Sequence, residues 1–217
     1  MNVALKLSGL MFALAGSIGL AQASVLPADS TTTSVDIVPT FFGGTLLDAV
    51  TTTIHNAAYS GVARAAVYQT DSGMDFYYQF SNDPTSKTGL ERFGAYDFSS
   101  LGSNVAVSVY QTATPFGIFL AGTEAADYAD HTKWGVVGFN FVPNDASRLD
   151  PGTTSYIEII HTNAHHHTTG NFALMGGMGD NAKGFEPSAV PEPTTGMLML
   201  VGLAVCGWKV VRSSKKA

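Results

Sequence analysis

The middle of this 217-residue chain predicts an all-β fold of antiparallel strands in two packed sheets, an immunoglobulin-like or jelly-roll-like β-sandwich. Three observations carry that expectation. The segment "MDFYYQF", Met74 to Phe80, puts Phe76, Tyr78 and Phe80 on one side of an extended chain and Tyr77 and Gln79 on the other, so one face of a strand is strongly aromatic. Comparable runs recur at intervals of roughly ten to twenty residues, with turn chemistry between them. No convincing amphipathic helical period interrupts the series, which favours sheet packed on sheet.

The first element is not part of that body. Lys6 precedes an apolar run from Leu7 to Leu20, and Ala21-Gln22-Ala23 follows. A basic start, an apolar middle and an A-x-A site form a secretory signal over residues 1–23, with Ala21 and Ala23 directing cleavage after Ala23. Residues 24–39, rich in Ser, Thr and Pro, read as a linker or a first strand, and residues 40–186 as the sandwich domain.

Within the domain the β-like runs are "LLDAVTTTI", "GVARAAVYQ", "MDFYYQF", "LERFGAYDF", "NVAVSVYQT", "FGIFLAG", "WGVVGFNFV", "TSYIEIIHT" and "NFALMGGMG". "TDSG" supplies a hairpin turn between the second and third. Further breaks fall at Asn82-Asp83-Pro84, Gly102-Ser103-Asn104, Pro143-Asn144-Asp145, Asp150-Pro151-Gly152 and Thr169-Gly170-Asn171. The acidic stretch "TEAADYADH", Thr123 to His131, is expected to hold a short helix or a loop.

Charge and cysteine usage narrow the setting. Between Ser24 and Val190 there are six Lys and Arg against sixteen Asp and Glu, a net of minus ten. Phosphate neutralisation needs clustered cations, so nucleic acid is not an expected partner. The single cysteine, Cys206, lies outside this interval, which excludes a disulfide scaffold. Cys206 itself reads as inert packing in an apolar segment, with a lipidation site as the alternative.

The chain closes with Pro191-Glu192-Pro193 in a linker over residues 187–195, then an apolar helix and a basic tail over 196–217. As a helix, Gly196 to Val211 would be about 24 Å long against a hydrocarbon core of about 30 Å, a short single transmembrane span. Trp208 suits the interface, and Lys209, Arg212, Lys215 and Lys216 fix the cytoplasmic side. Two prolines keep the preceding segment extended, in a form a processing cleft can hold. This order of motif, helix and cations resembles the PEP-CTERM sorting signal of Gram-negative bacteria, from Ala189 to the end of the chain. The resemblance implies a temporary inner-membrane anchor, recognition by an exosortase, and delivery to the cell surface or an exopolysaccharide (biofilm) matrix. A weaker resemblance, in "FYYQFSND", "LDPGTTSYIEIIHTNA" and "FEP", is to extracellular domains that commonly precede such tails, and it implies a β-sandwich.

Candidates for chemistry are sparse. In "HTNAHHHTTGN", His161, His165, His166 and His167 supply imidazoles suited to zinc, copper or nickel. Side chains adjacent in a strand connection diverge, so a solvated loop is the preferred reading and no cofactor is assigned. Asp127, Asp130 and His131, or Asn144, Asp145 and Asp150, offer calcium-type oxygen ligands without matching the spaced calcium loop. Tyr59, Tyr68, Tyr77, Tyr96, Tyr110 and Trp134 would stack on sugar rings if several shared a solvent-facing surface, against the commoner use of aromatics as core. G-x-S-x-G, H-E-x-x-H, P-loop and G-x-G-x-x-G motifs are missing. The expected role is therefore non-enzymatic: a structural or adhesive surface or matrix protein, or alternatively a carbohydrate-binding module with a calcium requirement.

Overall fold

The computed structural model describes residues 24–98, 106–141 and 148–188. Outside them lie the signal segment, the Pro191-Glu192-Pro193 motif, the apolar tail with Trp208, Lys209, Arg212, Lys215 and Lys216, and the residues Asn144 and Asp145. Among the described residues every helix or strand element is a strand: β1 (Ser24–Val25), β2 (Ser30–Thr31), β3 (Asp36–Ile37), β4 (Thr45–His55), β5 (Ser60–Gln69), β6 (Met74–Asn82), β7 (Arg92–Ala95), β8 (Val107–Thr112), β9 (Tyr128–His131), β10 (Val137–Asn140), β11 (Ile157–Thr162), β12 (His167–Met175) and β13 (Gly179–Pro187).

They form two sheets. One runs β1-β8-β11-β6-β5-β4, with β3 also paired to β8, and the other runs β13-β12-β7-β10-β9-β2. The β3–β8 pair is parallel and the other named pairs are antiparallel. Residues 24–39 feed both sheets, and Leu26, Val35 and Val38 from that stretch are buried.

Period-two alternation puts Phe76, Tyr78 and Phe80 of β6 in one apolar cluster with Phe93, Phe139 and Phe172 from the second sheet. The Tyr78 and Phe172 rings sit 5.1 Å apart. Two tyrosines also tie the sheets by their polar tips: Tyr78 Oη donates to the Phe185 carbonyl at 2.5 Å, and Tyr59 Oη to that of Leu174 at 2.9 Å. Burial pushes the Tyr59 phenol up to about 12, so its proton stays on this bond.

The other face of the seven-stranded sheet is also covered. Ala66, Tyr68, Tyr77, Tyr110, Ile157 and Ile159 form a second cluster with Val38 and Phe119, flanked by Phe41, Phe116 and Ile118. Here "FGIFLAG" departs from expectation, since it is an irregular loop and not a strand. Phe119 N–H closes a turn on the Phe116 carbonyl at 2.9 Å around Gly117, whose φ of +55° glycine tolerates best. Both rings thus fall on the sheet, with Phe116 stacked on Phe41 at 4.3 Å. Gln79 pins the loop: its amide donates to Leu120 O at 2.8 Å and its carbonyl accepts from Leu120 N–H at 2.9 Å.

Two further differences have local causes. "TEAADYADH" forms no helix, because Tyr128 to His131 pairs edge to edge with Val137 to Asn140 and buries Ala129. "NFALMGGMG" is the end of β12 followed by a turn, and Gly179–Pro187, too rich in Gly and polar residues to announce itself, returns as β13.

Candidate functional site

The turn between β5 and β6 presents a polar cluster at the edge of the loop-covered face. Thr70 N–H donates to the Gly73 carbonyl at 2.8 Å, closing the turn around Asp71 and Ser72. Gly73 is required by space: a Cβ there would lie 2.0 Å from the Thr162 carbonyl oxygen of β11. That contact brings the turn against the end of β11, and Ser72 is left exposed at its tip.

Alternation puts Asp75 on the same face of β6 as Tyr77, and the register sets His161 of β11 directly opposite it. His161 Nδ1 meets Asp75 Oδ1 at 2.5 Å, and Tyr77 Oη donates to Asp75 Oδ2 at 3.1 Å. On the far side of the imidazole, Nε2 stands 3.3 Å from Ser72 Oγ. A carboxylate only accepts, so Nδ1 carries a proton and Nε2 is left to accept from the serine hydroxyl. The Asp75 side chain is 0% exposed and that of His161 30%, so the chain of contacts runs from the interior outward. Beside it lies a hollow of about 350 Å³ walled by Phe42, Thr70, Asp71 and Tyr110. Burial, and then the neighbouring Asp75 charge, raise the Tyr77 phenol well above its usual range, so Tyr77 serves Asp75 as a donor.

The other predicted residues fall elsewhere. His165 and His166 are exposed in the β11–β12 connection, and His167 opens β12 with its ring 5.9 Å from that of Phe185. The four histidines therefore do not converge, and among the described residues no three His, Cys, Asp or Glu side chains come together as a metal site. Asp130 is engaged on both oxygens, by Arg92 at 2.8 Å and Asn140 at 2.7 Å, while His131 Nδ1 faces the Leu26 carbonyl at 3.0 Å. Burial raises the Asp127 carboxyl from its ordinary value. Asp150 is exposed and its carbonyl accepts the Thr153 N–H of a turn.

Of the six aromatics offered for stacking, Tyr59, Tyr68, Tyr77 and Tyr110 are buried and Tyr96 is half-buried, which removes a shared platform. Trp134 alone of the set is open, at 74% exposure, on the turn between β9 and β10. It borders a second hollow of about 350 Å³ with Asp29, Ser30 and Asp130, and Lys133 Nζ lies 4.9 Å from its ring centroid. A hollow of about 480 Å³ where β4 faces β12 and β13 is lined by Asp48, Asn171 and Lys183 and holds no hydrogen-bonded nucleophile and base among the described residues.

Sequence reasoning singled out His161 only as a possible metal ligand, and did not single out Ser72 or Asp75. The only signal was "TDSGMD" ahead of an aromatic strand, and it means something only once β6 and β11 are known to pair. Comparison with protein-family models, with curated proteins and with solved structures finds no match for this chain.

Proposed function

We propose that this protein is an exported β-sandwich, immunoglobulin-like or jelly-roll-like, that serves as a structural or adhesive component of the bacterial surface or exopolysaccharide matrix. It is cut after Ala23, held for a time in the inner membrane by residues 196–217, and sorted by an exosortase through Pro191, Glu192 and Pro193. The observation that carries this reading is the order of residues at the two ends: a basic start, an apolar run and Ala21-Gln22-Ala23 at one, and Pro191-Glu192-Pro193, an apolar run and four cations at the other. Between those two ends, the described residues form two sheets with an apolar cluster on each face of the seven-stranded one. The net negative charge of that body suits a hydrated polymer environment and opposes adhesion to nucleic acid.

The test is the mass of the protein recovered from the outside of its own cells. Loss of the first 23 residues and of the tail beyond the Pro-Glu-Pro region is expected. Recovery of the intact polypeptide from the cytosol overturns the reading.

Trp134 favours a second reading, a carbohydrate-binding module. An indole face at 74% exposure next to carboxylate and hydroxyl groups is the combination that stacks on a sugar ring and bonds its hydroxyls. Glycan binding, measured with calcium and with chelator, should be saturable and lost in Trp134→Ala. Binding that survives this substitution removes the site.

A further inference from the structure

We propose that Ser72, His161 and Asp75 form a nucleophile, base and orienting carboxylate for acyl transfer, giving this protein a carboxylic-ester hydrolase activity beyond its surface role. The geometry is the relay such chemistry needs: Ser72 Oγ to His161 Nε2 at 3.3 Å, and His161 Nδ1 to Asp75 Oδ1 at 2.5 Å. The first distance is slack for a neutral hydrogen bond, as is common before substrate closes the site. The second fixes the tautomer that leaves Nε2 free to take a proton.

Each member comes from a different structural cause, and together they distinguish this cluster from a solvated turn. Asp75 is placed by strand alternation, His161 by cross-strand register and Ser72 by a turn that Gly73 clamps onto β11. Tyr77 holds the second oxygen of Asp75, so the carboxylate cannot rotate away from the imidazole without losing a bond. The nucleophile is exposed while its supports are not, the arrangement a substrate can reach. Thr70 Oγ1, 3.4 Å from Ser72 Oγ, limits the directions in which the hydroxyl points.

In the first step Ser72 Oγ bonds to the ester carbonyl carbon while its proton passes to His161 Nε2. The tetrahedral intermediate expels the alcohol, which takes that proton, and an acyl-serine remains. Water then gives a proton to the same nitrogen as it attacks the acyl carbon, and release of the acid restores the serine hydroxyl. No oxidant, metal or further reactant enters. The adjoining hollow of about 350 Å³, with Phe42 and Tyr110 in its wall, fits a short acyl group, and Asp71 at its rim disfavours an anionic alcohol. Short-chain esters of neutral alcohols are thus the expected class.

The full-length chain in detergent is treated with a fluorophosphonate probe and, separately, with p-nitrophenyl acetate. A single adduct on Ser72 by peptide mass spectrometry is expected, with ester hydrolysis reduced about 10³-fold or more in Ser72→Ala and Asp75→Asn lowering turnover without removing Ser72. Ser72 is exposed, so Ser72→Ala keeps the wild-type melting curve and its loss of activity cannot be ascribed to unfolding. An unlabelled Ser72 in a sample where a known serine esterase is labelled overturns the proposal, as does undiminished hydrolysis by Ser72→Ala. Neither result bears on export or on sugar binding.

Discussion

Asp75 and Glu158 are both fully buried carboxyls on neighbouring strands of one sheet, yet they face opposite ways and meet opposite fates. Asp75, on the loop-covered face, has a donor on each oxygen, from His161 and from Tyr77. Glu158, on the face turned to the second sheet, has no hydrogen-bond partner on either oxygen among the described residues. Its cross-strand neighbours are polar but already committed. Tyr78 gives its hydroxyl to Phe185, and the Gln111 amide serves Val35 and Ala126. Burial then drives the Glu158 carboxyl well above its usual range. The pair teaches that a buried carboxyl becomes an instrument or a burden according to what its nearest strands have left to donate.

The strongest way to break this contrast is His161→Ala. Removing one partner of a buried pair typically costs about 3–5 kcal/mol, because the remaining group is left without compensation. Urea unfolding followed by far-ultraviolet circular dichroism should show a loss of that size, with His161→Gln recovering part of it through its amide donor. A loss under about 0.5 kcal/mol, the range of ordinary surface changes, would mean that Asp75 does not depend on His161. Next in size is Phe119→Ala, which removes a buried ring from the loop over the same face and should cost about 3 kcal/mol. It should also slacken the Asp75 side of the sheet, read as faster amide hydrogen exchange in β6 and β11, while β7 and β10 keep their protection.

How far the sequence foretold these faces depends on the kind of signal each residue carries. Phe76, Tyr78 and Phe80 announced an inner face because strict alternation is a local property, and the strands holding them were found. Alternation put Tyr77 and Gln79 on the other side of the same strand and was silent about what covers them; they are buried by a loop whose closure depends on Gly117 and on two phenylalanines spaced by three. The short apolar run that holds them resembled a strand, because length and hydrophobicity alone do not separate a strand from a buried loop. β13 escaped notice because a strand rich in Gly, Asn and Lys takes its place from pairing with β12, not from propensity. Ser72, Asp75 and His161 are distant in the chain or unremarkable within it. Only the register of β6 against β11 makes them a group, and register is a tertiary fact.

The smallest expected effect sharpens the contrast from the Glu158 side. Its proton is bound more tightly in the folded chain than in the unfolded one, so above the usual carboxyl pKa of about 4.3 the unfolded state gives up a proton that the folded state retains. Unfolding therefore becomes easier as pH rises through that window, by about 1.4 kcal/mol per pH unit for one such group, until the folded-state group itself ionises. Chemical denaturation midpoints should accordingly fall from pH 5 towards neutrality for the wild-type chain. Glu158→Leu, of similar volume and with no polar group to leave stranded, should gain about 1–2 kcal/mol at pH 7 and flatten that part of the profile. Asp75→Leu should do the reverse and lose stability at every pH, since it strands the donors of His161 and Tyr77. If both leucine variants shift stability in the same direction, the availability of donors does not separate the two carboxyls, and burial alone sets their behaviour.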